Sequence, residues 1–189
     1  MPCRLPAALL ALLLSLAGAV PMSAGPAHAA DFTDAAGRRV VLPSPIRRIL
    51  PAERNAEVLV FVLAPDKLAG LSRLPGRGRL FPQASRLPVL DWRPRSVPES
   101  MIETARRLHP DLIIDAGTVT PQVAAFADQV TALSGIPYIL VDDSFARMPT
   151  VLRSIGTLLG VTEEARHLGR EAEHAINALR GHLDRKSVV

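Results

Sequence analysis

Cysteine is almost missing from this chain. Its 189 residues include one, Cys3, near the start. Everything after Cys3 therefore has no disulfide and no thiol chemistry open to it. Lysine occurs only at Lys67 and Lys186, so the net charge of +4 is carried by arginine. Aromatic residues make up 4%, too few for the stacking platforms that accompany basic charge in nucleic-acid binders, and nucleic acid is excluded as a partner. No G-x-S-x-G elbow, H-E-x-x-H helix or P-loop occurs. Gly76-Arg77-Gly78-Arg79 begins like a dinucleotide fingerprint, but its third glycine is missing and a proline precedes it. Ser144 follows Asp142-Asp143 without a histidine nearby in sequence. These absences argue against an enzyme and leave no residues to hold a cofactor.

What is present begins with an export signal. Arg4 supplies a short positive start, residues 7–20 are apolar apart from Ser15, and Ala27-His28-Ala29 is an A-x-A cleavage signal. As a helix the apolar run rises only about 21 Å, short of the roughly 30 Å hydrocarbon core of a bilayer. Cys3 precedes the run, so it is not placed to carry a lipid anchor. Later segments fall short of the roughly 18 unbroken apolar residues a span needs. Residues 1–29 are therefore expected to be a cleaved signal peptide, and the mature chain to be exported and unanchored.

Beyond residue 30 the pattern alternates strand and helix, which predicts an α/β fold with a mostly parallel sheet flanked by helices. Arg48-Ile49-Leu50-Pro51-Ala52 reads as a short strand. Asn55 then reads as the cap of a helix carrying Ala56, Leu59, Val60 and Leu63, stopped by Pro65. Residues 68–71 read as a second strand, and 72–98 as an irregular stretch punctuated by proline and glycine. Residues 100–108 are expected to be helical and Leu112-Ile113-Ile114 a buried strand, followed by a turn from Asp115 to Thr118. Pro121 opens a helix that Gly135 ends, residues 136–141 form a strand, and 148–159 a helix closed by Gly160. A last helix starts at Thr162 with Glu163 and Glu164 in its first turn. Its apolar residues, Ala165, Leu168, Ala172, Ala175, Ile176, Leu179 and Leu183, make one stripe of a helix of about 21 residues, roughly 31 Å long.

The residues from Phe32 onward, Phe-Thr-Asp-Ala-Ala-Gly-Arg-Arg-Val-Val-Leu-Pro, resemble the opening hairpin of the iron-siderophore, haem and vitamin B12 class of periplasmic binding proteins. Arg47-Arg48-Ile49 resembles that family's first strand, and Asn55-Ala56-Glu57-Val58-Leu59 the helix after it. The most specific stretch runs from Met101 through Glu103 to Leu108-His109-Pro110-Asp111-Leu112-Ile113, with the glutamate seven residues before the proline. The resemblance implies two Rossmann-like α/β lobes joined by one long helix, with ligand held between them. It implies that Glu103 docks on arginines of an ABC permease at the inner membrane, that the protein is periplasmic and monomeric, and that its ligand is a metal chelate. Residues 30–160 would be the N-terminal lobe and 161–183 the interlobe helix, with the C-terminal lobe absent. Residues 184–189 resemble translated sequencing adapter and are expected to be an artefactual tail.

In open α/β sheets ligands sit beyond the carboxyl ends of the strands. The loops expected there are 52–55, 72–79, 91–95, 116–120 and 142–145. Arg54 lies in the first of these loops, and Arg73, Arg77, Arg79, Arg86, Arg93 and Arg95 follow with only Asp91 opposing them from Arg73 to Arg95. Arginine forks match carboxylates bidentately, and Trp92 offers a flat apolar face beside them. Arg54, Arg73, Arg77, Trp92, Arg93 and Arg95 are therefore the expected ligand-binding residues, with a carboxylate-bearing ferric siderophore the expected ligand. Haem or cobalamin is the alternative within the class, and a secreted α/β enzyme the alternative outside it. Trp92 stands where haem-binding members commonly place a ligating tyrosine. Direct metal capture is not expected, because three of the four histidines after residue 30 (His167, His174 and His182) fall on the last helix.

Overall fold

The computed structural model describes residues 30–72, 86–90 and 98–186. The signal-peptide reading and five expected ligand residues, Arg73, Arg77, Trp92, Arg93 and Arg95, lie outside the described residues. Among the described residues no helix is long and apolar enough to cross a membrane.

The chain opens with an antiparallel hairpin, β1 (Ala30–Thr33) and β2 (Arg39–Leu42), in which Thr33 faces Arg39. Its tight loop needs Gly37, whose φ of 77° lies in the left-handed region. Then come β3 (Ile49–Pro51), α1 (Arg54–Leu63), a 3-10 turn (Pro65–Lys67) and β4 (Leu71–Ser72). After these come β5 (Val89–Leu90), α2 (Pro98–Leu108), β6 (Leu112–Ala116), α3 (Pro121–Ser134), β7 (Tyr138–Val141), α4 (Met148–Leu158) and α5 (Thr162–Lys186).

β3, β6 and β7 form a parallel sheet with β6 in the middle, and β4 and β5 pair in parallel beside it. The β4 segment adjoins β3 through the Ile49–Leu68 bridge and the Ala69 N–H bond to the Ile49 carbonyl, 2.8 Å. The spatial order is thus β5-β4-β3-β6-β7, with the chain reversing direction between β3 and β6. Every residue of β6 and of β7 is buried, as a sheet covered on both faces requires. Side chains alternate between two cores. Ile114, Ala116, Ile139 and Val141 face α1 and α4, while Ile113, Tyr138 and Leu140 face α2 and α3.

Two carboxylates fasten the sheet. Asp34 is 5% exposed and accepts from the backbone of Ala36, Arg38 and Leu140 and from the Arg38 guanidinium. Arg38 also donates to the Tyr138 carbonyl at 2.8 Å and to Asp128 at 2.6 Å, so the hairpin is bolted to the outer edge of β7. Burial alone would lower the Arg38 pKa, but hydrogen bonds and charge from Asp128 and Asp34 outweigh it and raise the value. Asp111 accepts from the Arg47 and Arg48 amides at 2.7 and 2.8 Å, pinning the start of β3 beside β6. The Asp of the Pro110-Asp111 pair is therefore a fold residue.

Several boundaries differ from the sequence reading. Asn55 is not the helix cap: α1 begins at Arg54, two residues earlier than that cap implies, Glu53 occupies the cap position, and the Asn55 side chain donates to Asp143. Asp115 and Ala116 belong to β6 rather than to a turn, because Ala116 fills the apolar core and Asp115 accepts from the buried Tyr138 hydroxyl at 3.0 Å. β5 was not anticipated; it is two residues long and sits just after Pro88. The last helix runs on past 183 to Lys186.

Candidate functional site

The carboxyl edge of the sheet is where the chain gathers its loops. β3 leads into α1 on one face and β6 into α3 on the other, so a crevice opens between them at the switch point. Gly156 and Ala165 bring α4 and α5 together: a Cβ on Gly156 would stand 2.0 Å from that of Ala165. Near the other end of the contact, Gly169 lies against the Pro149 carbonyl, so the two helices run antiparallel. Pro149 is at the start of α4, just beyond the carboxyl end of β7. Ala172 still packs on the core and Ile176 is 6% exposed, so it is the part of α5 after Ile176 that continues past the carboxyl edge, for roughly 15 Å.

A groove of about 370 Å³ opens at this edge between α1 and α4. Val58, Leu59, Val62, Met148, Val151 and Leu152 line it, and Asn55, Ala116 and Asp143 stand at its end by the crevice. The helices meet where Leu63 lies near Gly156, and they splay toward the crevice. Val58 and Val62 are 54% and 44% exposed, so this is open apolar surface. At its mouth the Asn55 amide donates to Asp143 at 2.5 Å.

The loop after β7 is held rigidly. The Ser144 amide donates to Asp142 at 2.9 Å, and the Ser144 carbonyl accepts from Arg147 and Met148. The bond from the Ser144 amide, followed by one from its hydroxyl, holds the Asp142 carboxyl below its ordinary pKa; the charge of Arg147 adds to this against a small opposing cost of burial. The turn presents Phe145, 59% exposed, at the carboxyl edge.

Of the expected ligand residues, Arg54 is described. It is the first residue of α1, exposed, at the carboxyl edge as anticipated. Glu103 is exposed on α2, on the side opposite the buried Met101, Ile102 and Ala105. Tyr138, the chain's single tyrosine, is fully buried and bonded to Asp115, so it is not offered to a ligand. Among the described residues no group of three or more His, Cys, Asp or Glu is arranged to hold a metal ion. Sequence reasoning placed the 142–145 loop, and with it Asp143, at this edge but missed Val58 and Val62. The signal for the valines was there, since they share a helical face apart from the buried Ala56, Leu59, Val60 and Leu63 stripe.

This architecture is the fold of solute-binding proteins of ABC transporters. Solved structures that match include an ABC transporter solute-binding protein from Sulfurospirillum deleyianum DSM 6946, at TM-score 0.65 and 24% identity over 79% of this chain and 48% of that one. The heme-binding protein HmuT matches at TM-score 0.57 and 23% identity over 88% and 52%. A TroA-like periplasmic binding protein, FepB from Veillonella parvula, matches at 0.57 and 19% over 84% and 50%. The chain thus spans about half the length of the solved structures it matches. No family model and no curated protein matches the sequence.

Proposed function

We propose that this chain is the N-terminal lobe and connecting helix of a periplasmic substrate-binding protein of an ABC importer. It captures an iron complex, a ferric siderophore above all, and hands it to the permease. Residues 1–29 act as the export signal, 30–160 form the lobe, 161–183 cross between lobes, and 184–189 are foreign to the protein. The observation that carries the reading is α5, which leaves the lobe beside the switch-point crevice and projects beyond the carboxyl edge, as an interlobe helix must. The matched proteins bind solutes, which favours a binding role over an enzymatic one.

Arg54, Arg73, Arg77, Arg93 and Arg95 supply the cationic side of the ligand site, Trp92 a flat face, and Glu103 the contact with the permease. Haem is the second reading, because HmuT is among the matches. The burial of Tyr138 weighs against it, since that phenol is not available to iron.

The test is iron uptake by a two-lobed protein carrying this lobe. Glu103→Arg should abolish uptake while leaving ligand affinity within a few-fold. Arg73→Ala and Arg93→Ala should each weaken an anionic ferric siderophore by about tenfold or more, since charge-assisted bonds are worth roughly 1.5–3 kcal/mol. If both arginine variants are silent, or neutral complexes and cobalamin bind better at low salt, the siderophore assignment falls. If Glu103→Arg loses binding and uptake together, the docking role falls.

A further inference from the structure

The groove between α1 and α4 is apolar, and the arginines and tryptophan of the proposed ligand site leave it unexplained. Leu59, Val151 and Leu152 are buried and form its floor, while Val58, Val62 and Met148 stand higher on its walls. Packing α1 fully against α4 would bury both valines and stabilise the lobe, so folding by itself favours a closed contact over this trench. Its volume of about 370 Å³ falls within the roughly 300–1,000 Å³ of small-molecule sites.

The polar groups of the groove stand at one end. Asn55 and Asp143 close it toward the crevice, bonded to each other. Arg54, Val58 and Val62 follow at i, i+4 and i+8, so they share one stripe of α1 with the cation at the crevice. Among the described residues Arg54 has no ion-pair partner. Glu53 and Asp142 also lie at this end, where Asp142 accepts from the Ser144 amide and faces Arg147 at 3.7 Å. The end is thus polar with both signs, and the body is aliphatic, with no aromatic ring among the described residues that line it. That is the polarity of an amphiphile lying lengthwise, its polar part in the crevice and its hydrocarbon between the helices. A flexible aliphatic chain fits such walls better than a rigid aromatic system, which finds no ring face to stack on.

We propose that the α1–α4 groove is an apolar annex of the ligand site that takes an aliphatic acyl chain. The ligand is then an amphiphilic chelate, with its metal-binding part in the crevice beside Arg54 and its chain between the helices. The chain is read from the groove itself; that its polar end is a chelate rests on the binding role proposed above.

Isothermal titration of the full chain with octanoate, decanoate and dodecanoate, each kept below micelle-forming concentrations, tests this. It needs neither iron nor permease, so its failure would leave the import reading standing with an unacylated chelate, and the uptake assay above decides that reading separately. A fully buried methylene is worth about fourfold in affinity and a half-exposed one about twofold, so dodecanoate should bind roughly 16-fold or more tighter than octanoate. Val58→Asn with Val62→Asn should weaken dodecanoate by roughly tenfold and flatten the dependence on chain length. Val58→Trp keeps the wall apolar but fills the trench, and should do the same. Leu133→Asn, at an exposed leucine of α3 on the other face of the sheet, should change nothing. The apolar N-terminal run is common to all these proteins, so the differences report the groove. Affinity independent of chain length, silence of both groove variants, or an equal loss in Leu133→Asn would each overturn the proposal. So would a dimer in sedimentation that Val62→Asn dissociates and dodecanoate leaves intact, since the groove would then be covered by a second copy of the chain.

Discussion

Replacing Asp34 by alanine should cost this protein more stability than any single surface change. The side chain is fully buried and its two oxygens serve five N–H donors: Oδ1 takes the amides of Ala36 and Arg38, and Oδ2 takes the Leu140 amide and two Arg38 nitrogens. Deleting it strands the Leu140 amide on the edge of β7 and leaves a partly buried guanidinium with Asp128 and the Tyr138 carbonyl. Breaking a buried pair from one side costs about 3–5 kcal/mol. For a domain of this size each kcal/mol moves Tm by about 2–4 °C, so the expected drop is roughly 6–20 °C. Circular dichroism melts of Asp34→Ala and Asp34→Asn beside the parent would measure it. The asparagine keeps the shape and loses the charge, so it should fall between the two. A shift of less than about 2 °C for Asp34→Ala would refute the idea that this clasp holds the hairpin to the sheet.

Gly156→Val should open the α4–α5 contact, because a Cβ there meets the Ala165 Cβ at 2.0 Å and that methyl has no rotamer to turn aside. Overpacking of this kind costs about 1–3 kcal/mol, and a melt matching the parent would contradict the close crossing. Asp142 should titrate below the ordinary value near 3.8, followed by NMR of its carboxyl carbon. A carboxyl with a depressed folded pKa stabilises the fold above its unfolded value and loses that contribution as pH falls through the folded one. Here the effect stays small because the group faces solvent. A midpoint at or above 3.8 would contradict the bond from the Ser144 amide.

Much of the α/β alternation was legible in the sequence. The runs around Ile113 and Ile139 and the helices after Pro121 and before Gly160 follow from apolar periodicity and from residues with fixed backbone preferences. The misreadings have local causes. Asn55 is a good capping type two positions too late, and its amide found Asp143, 88 residues away. Asp115 looks like a turn residue until Tyr138 supplies a buried hydroxyl across the neighbouring strand. The Asp34–Arg38 clasp went unread because its partners Tyr138, Leu140 and Asp128 lie about a hundred residues on, beyond any periodicity. At the site, loop positions at the strand ends could be named in advance. The open groove beside Val58 and Val62 could not, since it depends on how far α1 and α4 splay.

The central claim is that the carboxyl edge is half of a binding site whose other half belongs to a second lobe. Isothermal titration of the chain as it stands, against ferric citrate, a hydroxamate ferric siderophore and haemin, tests it most directly. The single lobe buries too little of such a ligand, so each dissociation constant should be weaker than about 1 μM, or −8 kcal/mol. A submicromolar constant for any of them would contradict the two-lobe account.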